Sequence, residues 1–300
     1  FKGIAGILML LGIYCGAIYG GSISAILLKT PGTPASVATT LDGYPLATKL
    51  HQPGRALGIS TMASTFGGIF STVCLVIMAP LLAKVALQFS KPEYFALAVF
   101  GLSIITSVSS GNVIKGVMGG LVGLFLATIG IDAMSGVIRF TFGTNYLLGG
   151  VSFIPILIGV FALAQVLQSI EDNWKYIHQT TKMAIDRTLP RLSDIRRVFV
   201  TLLRSSAIGT FIGCIPGTGG DIASFVAYDQ AKRWSRHKDN FGQGEPEGVA
   251  APEAGNNAVS GGAFIPVLTL GIPGDGATAI MMGALMVQGL SLIHISEPTR

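Results

Sequence analysis

"SAILLKTPGTPASVATTLDGYP", Ser24 to Pro45, interrupts an apolar run long enough to cross a lipid bilayer. The run stops at Lys29-Thr30-Pro31-Gly32-Thr33-Pro34, resumes in small and hydroxylated residues, and meets Asp42. Proline removes an amide donor and blocks the helix, while glycine admits backbone angles closed to other residues. In hydrocarbon the freed amides and carbonyls are expensive to leave unpaired. Irregular backbone at that depth survives only where protein buries it or where water and a ligand satisfy it. A break of this kind therefore marks a cavity.

The composition supports a membrane setting. Half of the 300 residues are hydrophobic and 12% are charged, against about 25% charge in a soluble globular chain. Mean hydropathy is +0.63. One soluble core cannot hide so much apolar surface, so the excess faces lipid. The 40 glycines suit membrane helices, where small residues allow close backbone approach. The expected fold is all-α: a polytopic transmembrane helical bundle with broken, re-entrant helices. The net charge of +5 falls largely in two polar loops. It reads as a topology signal, with no nucleic-acid face.

Apolar segments occupy residues 3–29, 56–88, 93–109, 112–130, 146–169, 198–215, 221–231, 257–272 and 276–290. The polar loops are Glu171 to Arg197 and Lys232 to Glu253, both rich in Lys and Arg. Such loops stay cytoplasmic. Residues 198–231 between them then form a re-entrant hairpin turning at Pro216-Gly217, or else one long span. This gives an N-terminal transmembrane half over 1–169, a charged cytoplasmic loop over 170–197, and the start of a C-terminal repeat over 198–290. Residues 291–300, "SLIHISEPTR", resemble the translation of a sequencing adapter and are set aside. Phe1 opens the chain without a signal peptide's charged start.

The opening break has relatives in "IPGTGG" (Ile215 to Gly220) and "IPGDG" (Ile272 to Gly276). "GGSISAILLKTPGTPA" (Gly20 to Ala35) matches "GGAFIPVLTLGIPGDGA" (Gly261 to Ala277): Gly-Gly, an apolar run, Pro-Gly at nearly the same distance, then Ala. Two halves with one pattern suggest an internal repeat, read as inverted. A single Pro-Gly is an ordinary kink or loop; three with matched flanks are a design. A half-helix beginning at a break presents a partial positive charge, and one ending there presents carbonyls. Facing breaks can hold an anion together with a cation.

The substrate-binding candidates are accordingly Pro31, Gly32, Thr33, Gly217, Thr218, Gly219, Pro273, Gly274 and Asn256. Asn257 and Thr278, with backbone carbonyls, are candidate sodium ligands, because neutral oxygens and amides coordinate hard cations. Single hydroxyls in membrane helices also bond their own backbone. Asp42, Asp221, Glu253 and Asp275 lie at or after breaks; Asp221 and Asp275 serve equally well as N-caps. Lys29 either attracts an anion or snorkels to an interface. Lys115, Asp132 and Arg139 read as interfacial. Cys15, Cys74 and Cys214 lack metal-ligand spacing and read as buried packing residues. There is no GxxxxGK[ST], no HExxH and no GxSxG, so an enzyme is not expected, nor a cofactor beyond a coupling ion.

"GGSISAILLKTPGTPASVATTLDGYPLA", "KPEYFALAVFGLS", "IPGTGGDIASFVAYDQAKR" and "FGQGEPEGVAAPEAGNNAVSGGAFIPVLTLGIPGDGATAIMMGALMVQGL" resemble the TctA family, the large membrane subunit of the tripartite tricarboxylate transporters. The resemblance covers residues 1–290. It implies further sequence at both ends, including an N-terminal Pro-Gly loop pairing with Pro216-Gly217, and an acidic residue where Gln165 stands. It also implies a small TctB-like membrane subunit and a periplasmic TctC-like solute-binding protein as partners. The implied setting is the bacterial inner membrane, and the implied activity is ion-driven symport of di- or tricarboxylates such as citrate. An uncoupled channel or scaffold subunit for organic anions is the alternative.

Overall fold

The computed structural model describes residues 3–86, 113–132, 135–151 and 188–287 throughout, with scattered positions between 88 and 170. The segment expected at 93–109, most of the loop at 171–197, Gln165 and the tail at 291–300 lie largely or wholly outside the described residues, and the segment expected at 146–169 is described in part. The chain divides into two compact units, residues 1–86 with 170–300, and residues 87–169.

The first unit is helical. It contains α1 (Gly3–Leu28), α2 (Val37–Thr48) and α3 (Pro53–Ala86). In the second unit lies α4 (Val113–Ala127). The first unit continues with α5 (Leu192–Gly213), α6 (Gly219–Trp234), α7 (Pro246–Leu270) and α8 (Gly276–Val287). Two helices among the described residues are long and apolar enough to span a membrane, Ala5–Leu28 and Pro53–Leu82. Their outer faces carry exposed Leu8, Ile13, Ile69 and Val76, apolar surface suited to lipid.

Helix α7 is the hub, buried from Pro246 to Val267. Contacts along it run Thr201 to Glu247, Ser64 to Glu253 and Ser71 to Gly261, so α3 and α5 run parallel to it. Ser22 meets Glu253, while Tyr14 packs edge-on against Phe264 at 6.4 Å, so α1 runs antiparallel. Small residues permit this closeness: a Cβ on Gly209 would sit 2.0 Å from the Gly255 carbonyl oxygen. Ion pairs lock one end of the unit. Arg55 at the start of α3 meets Asp194 at 2.5 Å, and Arg197 meets Glu245 at 2.7 Å.

Several expectations change. Helix α2 forms inside the stretch that reads as a break, because Asp42 finds buried partners there. Its Oδ1 accepts the amides of Gly242, Gly244 and Glu245 at 2.8–2.9 Å, and its Oδ2 accepts the Tyr228 hydroxyl at 2.8 Å. Helix α7 begins at Pro246, within the supposed polar loop ending at Glu253. Proline fits the first helical turn, where its missing N–H leaves no bond unmade, and the Glu245 side chain caps that turn. The charges of Glu247 and Glu253 hide the helix from a hydropathy reading, yet both turn inward to hydroxyl donors. Cys15 is exposed, and Cys74 and Cys214 are partly so, which corrects the expectation that all three are buried.

Helices α5 and α6 pack as an antiparallel hairpin around residues 214–218, with Arg204 over the Trp234 ring at 5.0 Å. In the second unit α4 leads into a small antiparallel strand pair, Gly130–Ile131 with Ile138–Arg139, where Asp132 and Arg139 pair at 3.1 Å.

Candidate functional site

The first break follows α1. Lys29 closes that helix in the left-handed region, φ 55°, an uncommon conformation for a residue with a side chain. Its ammonium group lies 5.7 Å from the Tyr44 ring centre. The chain then folds back on α1, the Gly32 amide donating to the Gly21 carbonyl at 3.1 Å. A Cβ at Gly32 would lie 2.7 Å from the Gly21 Cα, so only glycine allows the return. Thr33 and Ser36 exchange hydrogen bonds at the turn into α2, and the buried Thr33 hydroxyl has no partner among the described residues.

The second break joins α5 to α6. Gly217 and Gly219 take φ of 80° and 66°, angles that glycine reaches without strain. The Thr218 hydroxyl donates to the Ile212 and Ile215 carbonyls at 2.6 and 2.8 Å, satisfying the end of α5. The Gly217 amide donates to the Gly274 carbonyl at 2.8 Å. The second and third breaks are thereby tied together.

The third break, after α7, ends in an N-cap. The Asp275 carboxylate accepts the Thr278 amide at 2.7 Å, and the Asp275 amide donates to the Thr278 hydroxyl at 3.0 Å. The Thr278 hydroxyl is thus engaged within its own turn. Asp275 also accepts the Tyr14 hydroxyl at 2.7 Å.

Asn256 links the first break to the second. It is 1% exposed, and its Oδ1 lies 2.2 Å from where a Cβ on Gly220 would be. The Cβ of Ala35, just past the first break, lies 3.5 Å from the same point. The Asn256 Nδ2 has no hydrogen-bond partner among the described residues. A buried amide with two unpaired donors is costly, unless a group from outside the chain accepts from it. Asn256 therefore stands at the first turn of α6, where helix amides and the helix dipole favour an anion.

Asn257 points elsewhere. Its Nδ2 donates to the Glu253 carbonyl at 2.9 Å. With Cys15, Tyr19, Thr61, Ser64 and Ser260 it lines a groove of about 500 Å³. Thr278 is held in the cap at the start of α8 while Asn257 faces this groove, so the two candidate ligands sit in different surroundings.

Two buried carboxylates read in the sequence only as charges near breaks. Asp42 is the stitch described above. Glu253 is fully buried and accepts the hydroxyls of Ser22 at 2.6 Å, Ser64 at 2.8 Å and Thr39. The donors come from three helices, so no local spacing announces them. A separate group, His237, Glu245 and Glu247, has ligand atoms within 4.8 Å of one another. Its carboxylates are already engaged, Glu245 by Arg197 and Glu247 by Thr201 and Ser235. Burial pushes the Glu245 carboxyl above its usual range, and the Arg197 guanidinium opposes that rise.

Comparison with known proteins agrees with this picture of a membrane chain. A protein from Agrobacterium vitis, described as an uncharacterized 52.8 kDa protein in the TAR-I ttuC' 3' region, is 40% identical over 294 residues. That alignment covers 97% of this chain and 57% of the relative, so the chain spans little more than half of the relative's length. A second Agrobacterium vitis protein, from the TAR-II ttuC' 3' region, is 45% identical over 83 residues, 28% of this chain and 34% of its own. No solved structure matches. The family described as the tripartite tricarboxylate transporter TctA family matches residues 1–294, and the chain belongs to it.

Proposed function

We propose that this chain forms the substrate pathway of the large subunit of a binding-protein-dependent tripartite carrier. The carrier takes di- or tricarboxylates, citrate-like organic acids, across the bacterial inner membrane by symport with sodium. The single observation that carries the reading is the meeting of broken helices: the Gly217 amide on Gly274, and Gly220 at the start of α6 set between the Asn256 side chain, whose Nδ2 is unpaired among the described residues, and Ala35 just past the first break. An anion bound there gains helix amides and the Asn256 donors without a buried lysine or arginine. Pro31, Gly32, Thr33, Gly217, Thr218, Gly219, Pro273 and Gly274 shape the turns that expose this backbone.

The stretches Gly3–Thr48 and Pro246–Val287 share one succession of elements: a long helix, a Pro-Gly break, then a helix of 12 residues. This succession favours an internal repeat and a polytopic bundle, as secondary carriers use. A TctB-like membrane subunit and a periplasmic TctC-like binding protein would complete the assembly. No bond is made or broken in such a role.

The test is uptake of radiolabelled organic acids by the complete carrier with its partner subunits, in proteoliposomes, across a panel of mono-, di- and tricarboxylates. Saturable, sodium-dependent uptake of a di- or tricarboxylate is expected. Non-saturating flux indifferent to sodium would establish the uncoupled channel instead.

A further inference from the structure

We infer that Glu253 and the hydroxyls around it form a binding site for a monovalent metal cation, sodium, separate from the anion site at Asn256. The carboxylate is 0% exposed and no lysine, arginine or histidine donates to it among the described residues. Its partners are the hydroxyls of Ser22 on α1, Thr39 on α2 and Ser64 on α3, themselves 0–6% exposed. A fourth hydroxyl, Ser60, faces the same carboxyl. It is 1% exposed and has no hydrogen bond of good geometry among the described residues.

An ionised carboxylate buried without a positive charge is strongly unfavourable in an apolar bundle. A proton would also neutralise it, on one oxygen that then donates to a single hydroxyl such as that of Ser60. A hard cation uses the whole set. Each hydroxyl oxygen keeps lone pairs, and a carboxylate with several neutral oxygens is the ligand chemistry such ions select. The buried Ser60 oxygen, beside the carboxyl but without a bond of good geometry among the described residues, is the observation that points beyond a closed hydrogen-bond network, and the pH series below separates a proton from a metal ion. Entry is available, because Ser64 both bonds Glu253 and lines the groove of about 500 Å³.

The placement suits coupling. Glu253 lies one helical turn before Asn256 on α7, and its cage draws on α1 and α2, the helices flanking the first break. Cation binding would pull these two helices onto α7 and set the break that faces Asn256. This consequence for transport rests on the function proposed above; the binding itself does not.

The experiment is thermal unfolding of the purified, complete protein in detergent, titrated with sodium chloride against choline chloride at constant ionic strength and at several pH values. Sodium is expected to raise the melting temperature of the unmodified protein in a saturable way. Glu253→Gln should abolish that rise. Ser60→Ala keeps the Cβ and removes one oxygen, so the variant should still fold and show a cooperative melt without sodium. Its half-saturating sodium concentration should rise about tenfold or more, as loss of a site oxygen does. Sodium responses that are identical in the unmodified protein and in Ser60→Ala would overturn the assignment, and so would stabilisation that tracks pH and ignores sodium. A carrier that binds sodium in this way but moves no organic acid would overturn the proposed function and leave the cation site standing.

Discussion

The Gly217 amide donates to the Gly274 carbonyl at 2.8 Å, so two chain breaks far apart in sequence hold one another open. Each supplies what the other lacks, since a broken helix in a low-dielectric setting needs partners for its freed amides and carbonyls. Gly217 manages this at φ 80°. A β-branched side chain there is strained by on the order of 1–3 kcal/mol and displaces the amide. Gly217→Val should therefore insert into the membrane at normal levels and lose uptake. Normal uptake rates in proteoliposomes would show that this turn does not shape the pathway.

Asn256 makes the opposite kind of prediction. Its Nδ2 bonds nothing among the described residues, so folding gains little from it. Asn256→Ala removes buried unpaired donors, a relief worth about 1–3 kcal/mol, against the void that is left. Melting temperature should be unchanged or higher. If the amide holds a carboxylate, the loss of a hydrogen bond to a charged group weakens apparent affinity about tenfold or more. Unfolding curves and the KM for uptake together decide it, and a fall in stability with an unchanged KM would mark Asn256 as structural.

Gly220→Ala tests the same point from the facing helix. Alanine in a helix interior normally stabilises by about 0.5–1 kcal/mol relative to glycine. Here its Cβ would lie 2.2 Å from the Asn256 Oδ1, so the amide must rotate away. A raised KM in a protein of ordinary expression and helicity is the expected outcome. An unaltered KM would mean that the orientation of Asn256 is irrelevant to uptake.

How much of this was legible in advance follows from where the signals lie. The Pro-Gly breaks at Pro31, Pro216 and Pro273 are local and carry their own backbone logic, so the chain announces them. Helix α2 and the first turns of α7 were hidden because Asp42, Glu247 and Glu253 lower the local hydropathy. Their partners are remote: Asp42 meets Gly242 and Gly244, and Glu253 meets Ser22, Thr39 and Ser64. No periodicity encodes a contact between positions about 200 residues apart. Thr278 shows the converse, for its spacing after Asp275 matches an N-cap as well as a ligand, and the structure uses it in the cap.

Asp42 should prove the strongest single anchor of the first unit. It accepts three backbone amides and the Tyr228 hydroxyl, and hydrogen bonds to a charged group contribute about 1.5–3 kcal/mol each. Asp42→Asn keeps the shape but loses the charge and turns an NH2 toward donors. A loss of about 3 kcal/mol or more is expected, seen as a lower melting temperature and as earlier proteolysis in the 232–245 loop. A variant that melts with the unmodified protein would show that the loop is held by packing alone.

The charged end of the unit carries a pH prediction through Arg197 and Glu245. The Glu245 carboxyl is raised by burial while the Arg197 guanidinium, 2.7 Å away, opposes the rise. Arg197→Met leaves burial unopposed, so the folded state holds the Glu245 proton more tightly than the unfolded state does. Stability is then kept below the unfolded carboxylate value of about 4.3. It is lost as pH climbs through the raised folded value, because folding must either keep the proton or bury an unpaired charge. Breaking a fully buried pair costs about 3–5 kcal/mol. Arg197 is one-third exposed, and water reaching it lowers the expected loss at about pH 8 to roughly 2 kcal/mol. Melting temperatures of the variant and the unmodified protein should therefore lie close at about pH 4 and diverge with rising pH. A gap that stayed constant across that range would mean that Arg197 acts through packing rather than charge.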